Sequence, residues 1–314
     1  MRRAVCAQLG GSAAAAVADD DSAGIGVAAQ RLVRGGGTRH VVTNCRQLDD
    51  MLGGGIAVGD VTELVGLPGT GRTQLALQLC CNVQVPKVFG GLDGDAVFID
   101  TEGALHTERL RAMADAHVGH IQRIAERRGL SGDFEALTSD DVLERIHVFS
   151  ADDLSELLGI VHHLPSVLRR KTSVRLVVID SVAVHFRHDV GDTAHRSRVL
   201  TALGQSLGRV AHEQRLAVVL TNHLTIRVEP TGDGGSGAGG DFDARTRLTP
   251  ALGQTWAHVA RDRLLLSHES DGTRHVTISK SLVAGQTRVP FRITADGVRG
   301  EAGADSGAKR ARRG

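Results

Sequence analysis

At 314 residues, 41% of them apolar, the chain has room for one large α/β domain with tails or for two small domains. Aromatic residues are few (7 Phe, 1 Trp and no Tyr), so a core must be built mainly from aliphatic side chains. The formal net charge of +1 excludes attraction of an anionic partner by overall charge, and leaves that task to a local basic surface.

The cysteines, Cys6, Cys45, Cys80 and Cys81, form no CxxC pair and no zinc-like spacing with histidine, a usage that suits a reducing compartment. No apolar run approaches the length of a membrane span and no secretory apolar region is present, so no membrane association is expected.

In chain order, residues 1–40 are rich in Ala and Gly and are expected to form a mobile arm. Arg2 and Arg3 hint at a transit peptide, but Asp19-Asp20-Asp21 argues against one. Asn44 to Leu52 is helix-like, and Gly53-Gly54-Gly55-Ile56 turns the chain toward a strand, Val61 to Val65. Then comes Gly66-Leu67-Pro68-Gly69-Thr70-Gly71-Arg72-Thr73, with a helical pattern from Gln74 to Leu79. Strand, glycine-rich turn and helix are the setting of a phosphate-binding P-loop. The glycines let several N–H groups point inward, and the helix N-terminus adds positive charge where phosphates sit. Thr73 stands where a hydroxyl completes a Mg²⁺ shell, whereas Arg72 stands where the motif has Lys. Alone, such a segment is only a turn; the segments downstream favour phosphate.

Ala96 to Gly103 is an apolar run ending in Asp100 and Glu102, the profile of a buried parallel strand with carboxylates at its C-terminal end. In open α/β sheets that edge binds ligands. Leu105 to Arg128 reads as a long amphipathic helix, Arg145 to Phe149 as a third strand, and Leu154 to Leu168 as a helix ending near Pro165. Arg175 to Ser181 is a further buried strand, and its terminal Asp180 occupies a position that commonly holds the water shell of a nucleotide's Mg²⁺. An aspartate there is also a good helix N-cap. Arg198 to Gln214 is helical, and Leu216 to His223 is a fourth buried strand with polar residues at its end. The alternation indicates a doubly wound sheet whose polar strand ends converge on one edge.

Arg227 to Arg247 surrounds a Gly-rich stretch that cannot pack, and is expected to be a long functional or disordered loop on the ligand side. Arg261 to His268 and Arg274 to Ser281 read as antiparallel strands closing the sheet. Residues 300–314 form a basic tail ending Lys309-Arg310-Ala311-Arg312-Arg313, a nuclear-localisation cluster or a nonspecific phosphate patch. Arg187, Arg196 and Arg198 on one segment, and Arg227, Arg245 and Arg247 on another, are singly solvated charges. As a set they bracket two loops with cations, as nucleic-acid backbone binding needs, with Phe186 and Phe242 as the available stacking aromatics.

Leu48-Asp49-x-x-Leu52-Gly53-Gly54-Gly55-Ile56, the P-loop with Thr73-Gln74, Phe98 to Gly103, and Leu220-Thr221-Asn222 together resemble the P-loop ATPase core of the RecA/RadA-like recombinase superfamily. Val85-Pro86-x-x-Phe89-Gly90-Gly91, Phe186-Arg187-His188-Asp189 and Pro250-Ala251-Leu252-Gly253-x-x-Trp256-x-His258 resemble the C-type paralogues of the eukaryotic Rad-fifty-one recombinase. The match runs from about Thr43 to Gly297. It implies a RecA-type core over residues 41–299, a mostly parallel twisted sheet flanked by helices, with antiparallel C-terminal strands.

The resemblance also implies ATP and Mg²⁺ as cofactors. ATP would be bound by Gly66, Leu67, Pro68, Gly69, Thr70, Gly71, Arg72, Thr73 and Gln74, and Mg²⁺ by Thr73 and Asp180. Glu102 would polarise the attacking water, Arg72 would meet the transferring phosphate, and His223 would occupy the γ-phosphate sensor position. Val182 to His195 and Arg227 to Thr249 would be the two DNA-binding loops.

Several departures bear on activity. Arg72 keeps the lysine's charge on a bulkier planar fork, so binding is expected to survive better than hydrolysis. His223 replaces the usual Gln sensor; the N-terminal helical DNA-binding domain is expected to be absent, and the arm has no Phe to anchor on a neighbour. The expectation is therefore a nuclear, ATP-binding mediator of homologous recombination and double-strand-break repair. It would act on single-stranded or branched DNA in a hetero-complex with other recombinase paralogues. Two alternatives stay open: an autonomous ATP-dependent strand-exchange recombinase, and a nucleotide-stabilised scaffold without DNA contact.

Overall fold

A computed structural model describes residues 39–134, 136–186, 192–229, 245–281 and 287–300. Nearly all of the N-terminal arm, Arg187, the Gly-rich stretch with Phe242, and the basic tail beyond Gly300 lie outside the described residues.

A ten-stranded sheet organises the rest. Its parallel part contains β3 (Val61–Gly66), β4 (Asp95–Asp100), β5 (Ile146–Ser150), β6 (Val174–Asp180) and β7 (Ala217–Glu229), preceded by a two-residue pair, β1 (His40–Val41) with β2 (Ile56–Ala57). Beyond these come β8 (Arg245–Pro250), β9 (Asp262–His268), β10 (Arg274–Lys280), β11 (Arg288–Thr294) and β12 (Gly297–Gly300). The strand order is β12-β11-β10-β9-β3-β7-β6-β4-β5, with β8 paired to the far end of β7. The helices are α1 (Arg46–Met51), α2 (Arg72–Asn82), α3 (Thr107–Arg127), α4 (Ser131–Phe134), α5 (Ser139–Glu144), α6 (Leu154–Arg170), α7 (Thr193–Gln214) and α8 (Gly253–Trp256).

The central strands carry apolar runs because both faces are covered, with Thr62 and Glu63 of β3 as buried polar exceptions. Ala96, Phe98, Leu176, Val178 and Val219 pack into one core with α2 and α3. Val97, Ile99, Val177, Ile179 and Leu220 pack into the other with α6 and α7. This alternation of strand neighbours between two cores is the expected signature of a parallel sheet sandwiched between helices. Lateral register then fixes the ligand edge: Gly66 lies opposite His223, and Asp100 opposite both Asp180 and Ser150.

Three expectations change. The helix expected to end near Pro165 runs on to Arg170, since Leu157, Val161 and Leu164 before the proline and Leu168 after it bury one continuous face. Its last turn carries Arg169 and Arg170, which suit the negative end of the helix dipole. The segment Arg227 to Arg247 is not all loop: β7 continues past the sheet and pairs antiparallel with β8, placing Arg227 directly opposite Arg247. Finally, β9 joins β3 in parallel before β10, β11 and β12 continue antiparallel, so only the outer strands close the sheet in the expected sense.

Candidate functional site

The P-loop spans the gap between β3 and α2. Gly66 is needed for space: a Cβ there would lie 2.8 Å from the Leu266 carbonyl oxygen and 2.5 Å from Thr70 Oγ1. Thr70 closes the turn, its Oγ1 donating to Leu67 O at 2.8 Å. Gly71 caps α2 with φ +103°, a left-handed conformation that an L side chain adopts only with strain. Gly71→Ala is expected to cost about 1–2 kcal/mol through this φ, read as a lower denaturant midpoint with unchanged m-value. Helix α2 therefore begins at Arg72, directly after the glycine-rich turn, and the first-turn N–H groups of a helix lack partners within the helix itself.

Asp180, at the end of β6, is 3% exposed. Its Oδ1 accepts from Thr221 Oγ1 at 2.5 Å, whereas Oδ2 is buried with no hydrogen-bond partner. Burial pushes the carboxyl up, against hydrogen bonding from the hydroxyls of Thr221 and Thr73. Asp180 caps no helix. A buried carboxylate with an unused oxygen beside the P-loop threonine fits a hydrated Mg²⁺, whose charge would offset that burial.

Glu102 follows β4 on a turn built by Asp100, whose carboxylate accepts the backbone N–H groups of Glu102, Ala104 and Leu105. Glu102 Oε1 receives Ser181 Oγ and lies 2.6 Å from His223 Nε2. The His223 hydrogen bond is the main reason that its carboxyl is held down at about 2, so Glu102 is a carboxylate at neutral pH. Thr101 clamps the Ser181 backbone from both sides, accepting its N–H and donating to its carbonyl at 2.7 Å each. Arg72 reaches across from α2, donating Nη1 to Asn222 O at 2.9 Å and placing Nη2 3.3 Å from His223 Nδ1.

The three residues expected to carry chemistry, Arg72, Glu102 and His223, thus stand in one connected cluster beside Thr73 and Asp180. Sequence reasoning missed Ser181 and Arg109. Arg109 of α3 donates to Gln74 Oε1 and to Thr294 O, both at 2.7 Å, and to Ala295 O, pinning the start of α2 to the β11–β12 turn. Both depend on contacts between distant segments that no local motif encodes.

The basic residues are placed differently from one another. Arg198 is exposed on α7. Arg196 instead turns inward, donating to Phe186 O and Ala251 O at 3.2 Å each, and so ties the end of the first loop to the exit of the second. Arg227, Arg245 and Arg247 sit on the β7–β8 ribbon beyond the sheet edge. Among the described residues, no group of three or more His, Cys, Asp or Glu is placed to hold a metal by itself, and no helix is long and apolar enough to cross a membrane.

Comparison with known proteins accords with this geometry. The Rad51 family model matches residues 37–301. The chain is 38% identical over 265 residues to DNA repair protein RAD51 homolog 3 of Cricetulus griseus, covering 82% of this chain and 68% of that one. It is 32% identical to the Dictyostelium discoideum RAD51 homolog 3, covering 84% of this chain and 66% of that one. It is 34% identical to DNA repair protein XRCC3 of Mus musculus, covering 83% of this chain and 75% of that one. With its P-loop, acidic strand ends and matched family core, the chain belongs to the Rad51 family.

Proposed function

We propose that this protein is an ATP-binding, DNA-associated mediator of homologous recombination and double-strand-break repair, working in the nucleus with other Rad51-type paralogues. The observation that carries the reading is the meeting of a P-loop helix N-terminus, Asp180 with its unused buried oxygen, and the ionised Glu102 at one sheet edge. ATP would lie along Gly66 to Gln74, with Mg²⁺ between Thr73 and Asp180. Glu102 is suited to polarise water, with Ser181 and His223 orienting it. The core would extend over residues 41–299, between the arm of 1–40 and the tail of 300–314. Mg²⁺, when bound, would supply charge neutralisation at the phosphates.

For DNA, Arg198, exposed on α7, and the cations at the β7–β8 ribbon positions 227, 245 and 247 are proposed to follow a phosphate backbone, and Arg187, outside the described residues, is proposed to join them. Arg196 is assigned the different duty of holding the two loops together. Partner docking is supported at the opposite end of the sheet. There β5 is an edge strand with Val148 45% exposed, and a cleft of about 370 Å³ separates it from α6. A strand edge unpaired among the described residues, beside an apolar cleft, suits addition of a strand from a neighbouring chain.

The test is binding of a fluorescent ATP analogue and of single-stranded DNA by the full chain. Wild type is expected to bind nucleotide in a Mg²⁺-dependent way, and Asp180→Asn to lose about tenfold of that dependence. DNA affinity is expected to fall steeply with salt, and the slope to become shallower in Arg198→Glu. Mg²⁺-independent nucleotide binding would overturn the site assignment. Salt-insensitive DNA binding, or none, would favour the scaffold alternative.

A further inference from the structure

The two positions at which this chain departs from the expected Lys and Gln are in contact with each other. Arg72 Nη2 lies 3.3 Å from Nδ1 of His223, and the opposite ring nitrogen, Nε2, lies 2.6 Å from Glu102 Oε1. A guanidinium can only donate hydrogen bonds and an ionised carboxylate can only accept them. One state of the ring satisfies both neighbours: neutral imidazole, with the proton on Nε2 and the lone pair of Nδ1 turned to Arg72. The ring is 8% exposed, so water is poorly placed to substitute for either partner.

We infer that His223 is a positioning residue that joins Arg72 and Glu102 into one unit, so that the Arg-for-Lys and His-for-Gln changes are a single compensated change. This inference rests on the ATP-binding reading above and deepens it. A Lys at position 72 has one compact ammonium, whereas the Arg fork reaches Asn222 O and His223 Nδ1 together. The imidazole in turn presents an acceptor to one side and a donor to the other. Glutamine carries the same pair of functions on its amide and alanine carries neither, which makes the two substitutions discriminating.

The experiment compares wild type, Arg72→Ala, His223→Ala, His223→Gln and the Arg72→Ala/His223→Ala double variant for affinity toward a fluorescent ATP analogue with Mg²⁺. Each alanine change is expected to weaken binding about tenfold, the double variant no more than the worse single one, and His223→Gln to recover most of the loss. A double variant that loses the product of the two single effects would overturn the inference, as would a His223→Ala variant matching wild type. A second readout needs no nucleotide. The ¹⁵N imidazole signal of His223, identified among the 15 histidines by its loss in His223→Gln, is expected to show the Nε2–H form and to change in Arg72→Ala. An Nδ1–H ring in wild type would sink the idea. Absence of ATP binding in wild type would defeat the proposed function instead, with the tautomer still deciding the inference.

Discussion

Arg72→Lys/His223→Gln, which reverts both halves of the coupled pair, is expected to raise ATP turnover about tenfold or more while leaving nucleotide affinity within about threefold of wild type. Phosphoryl transfer depends on where positive charge sits relative to the moving phosphate, and little else in this site is covalent chemistry. In the present chain the guanidinium is committed to Asn222 O and His223 Nδ1, two fixed acceptors at the end of β7. Those bonds hold the fork in a plane set by the protein. An ammonium is a compact charge on a flexible stem and can follow the phosphate as the bond breaks. Both side chains are cationic, so ground-state attraction for the triphosphate is largely retained. Single-turnover measurements with Mg²⁺, with and without single-stranded DNA, separate binding from chemistry. Brisk DNA-stimulated turnover in the wild type would show that Arg72 already does the lysine's work, and would favour an autonomous recombinase over a mediator.

Much of this candidate site is legible in the sequence, for a physical reason. In a parallel sheet covered on both faces, the central strands must be apolar throughout, so their polar residues collect at the ends, where the ligand edge lies. Val97-Phe98-Ile99-Asp100 and Val177-Val178-Ile179-Asp180 announce themselves in that way, and with the P-loop they identify Thr73, Glu102, Asp180 and His223. Strands β11 and β12 were not legible. Pro290 interrupts the donor pattern of β11, and β12 is four residues at the sheet margin, held by its pairing to β11. The β7–β8 ribbon was hidden by the Gly-rich stretch between its strands, which dominates any local window although Leu224, Ile226 and Val228 alternate in front of it. Arg196 and Arg198 show the limit most clearly. Two residues apart and identical in chemistry, one binds two carbonyl groups and the other is exposed, and only tertiary placement separates them.

Glu63→Ala is expected to be the most damaging single substitution for stability, at about 3–5 kcal/mol, read from urea denaturation of the full chain. Glu63 lies within β3 with no exposed surface, an unusual place for a carboxylate. Its Oε1 accepts Asn222 Nδ2 at 2.7 Å from one neighbouring strand, and its Oε2 pairs with Arg263 Nε at 2.5 Å on the other. The two bonds stitch β7, β3 and β9 together directly behind the ligand edge. Removing the carboxylate leaves Arg263, only 15% exposed and with Nη2 already without a partner, as an uncompensated buried cation. It also frees the Asn222 side chain, whose own backbone carbonyl receives Arg72. Two further variants separate these effects. Glu63→Met/Arg263→Met removes both charges at similar volume and is expected to recover most of the stability, since a buried pair and an apolar replacement are often close in energy. Glu63→Gln keeps an acceptor for Asn222 while discarding the charge, and is expected to retain nucleotide binding better than it retains stability. If the double variant were as unstable as Glu63→Ala, the cost would lie in packing, and the stranded charge would not be its cause. If Glu63→Gln lost nucleotide binding in proportion to stability, Asn222 would have no separate part in seating Arg72.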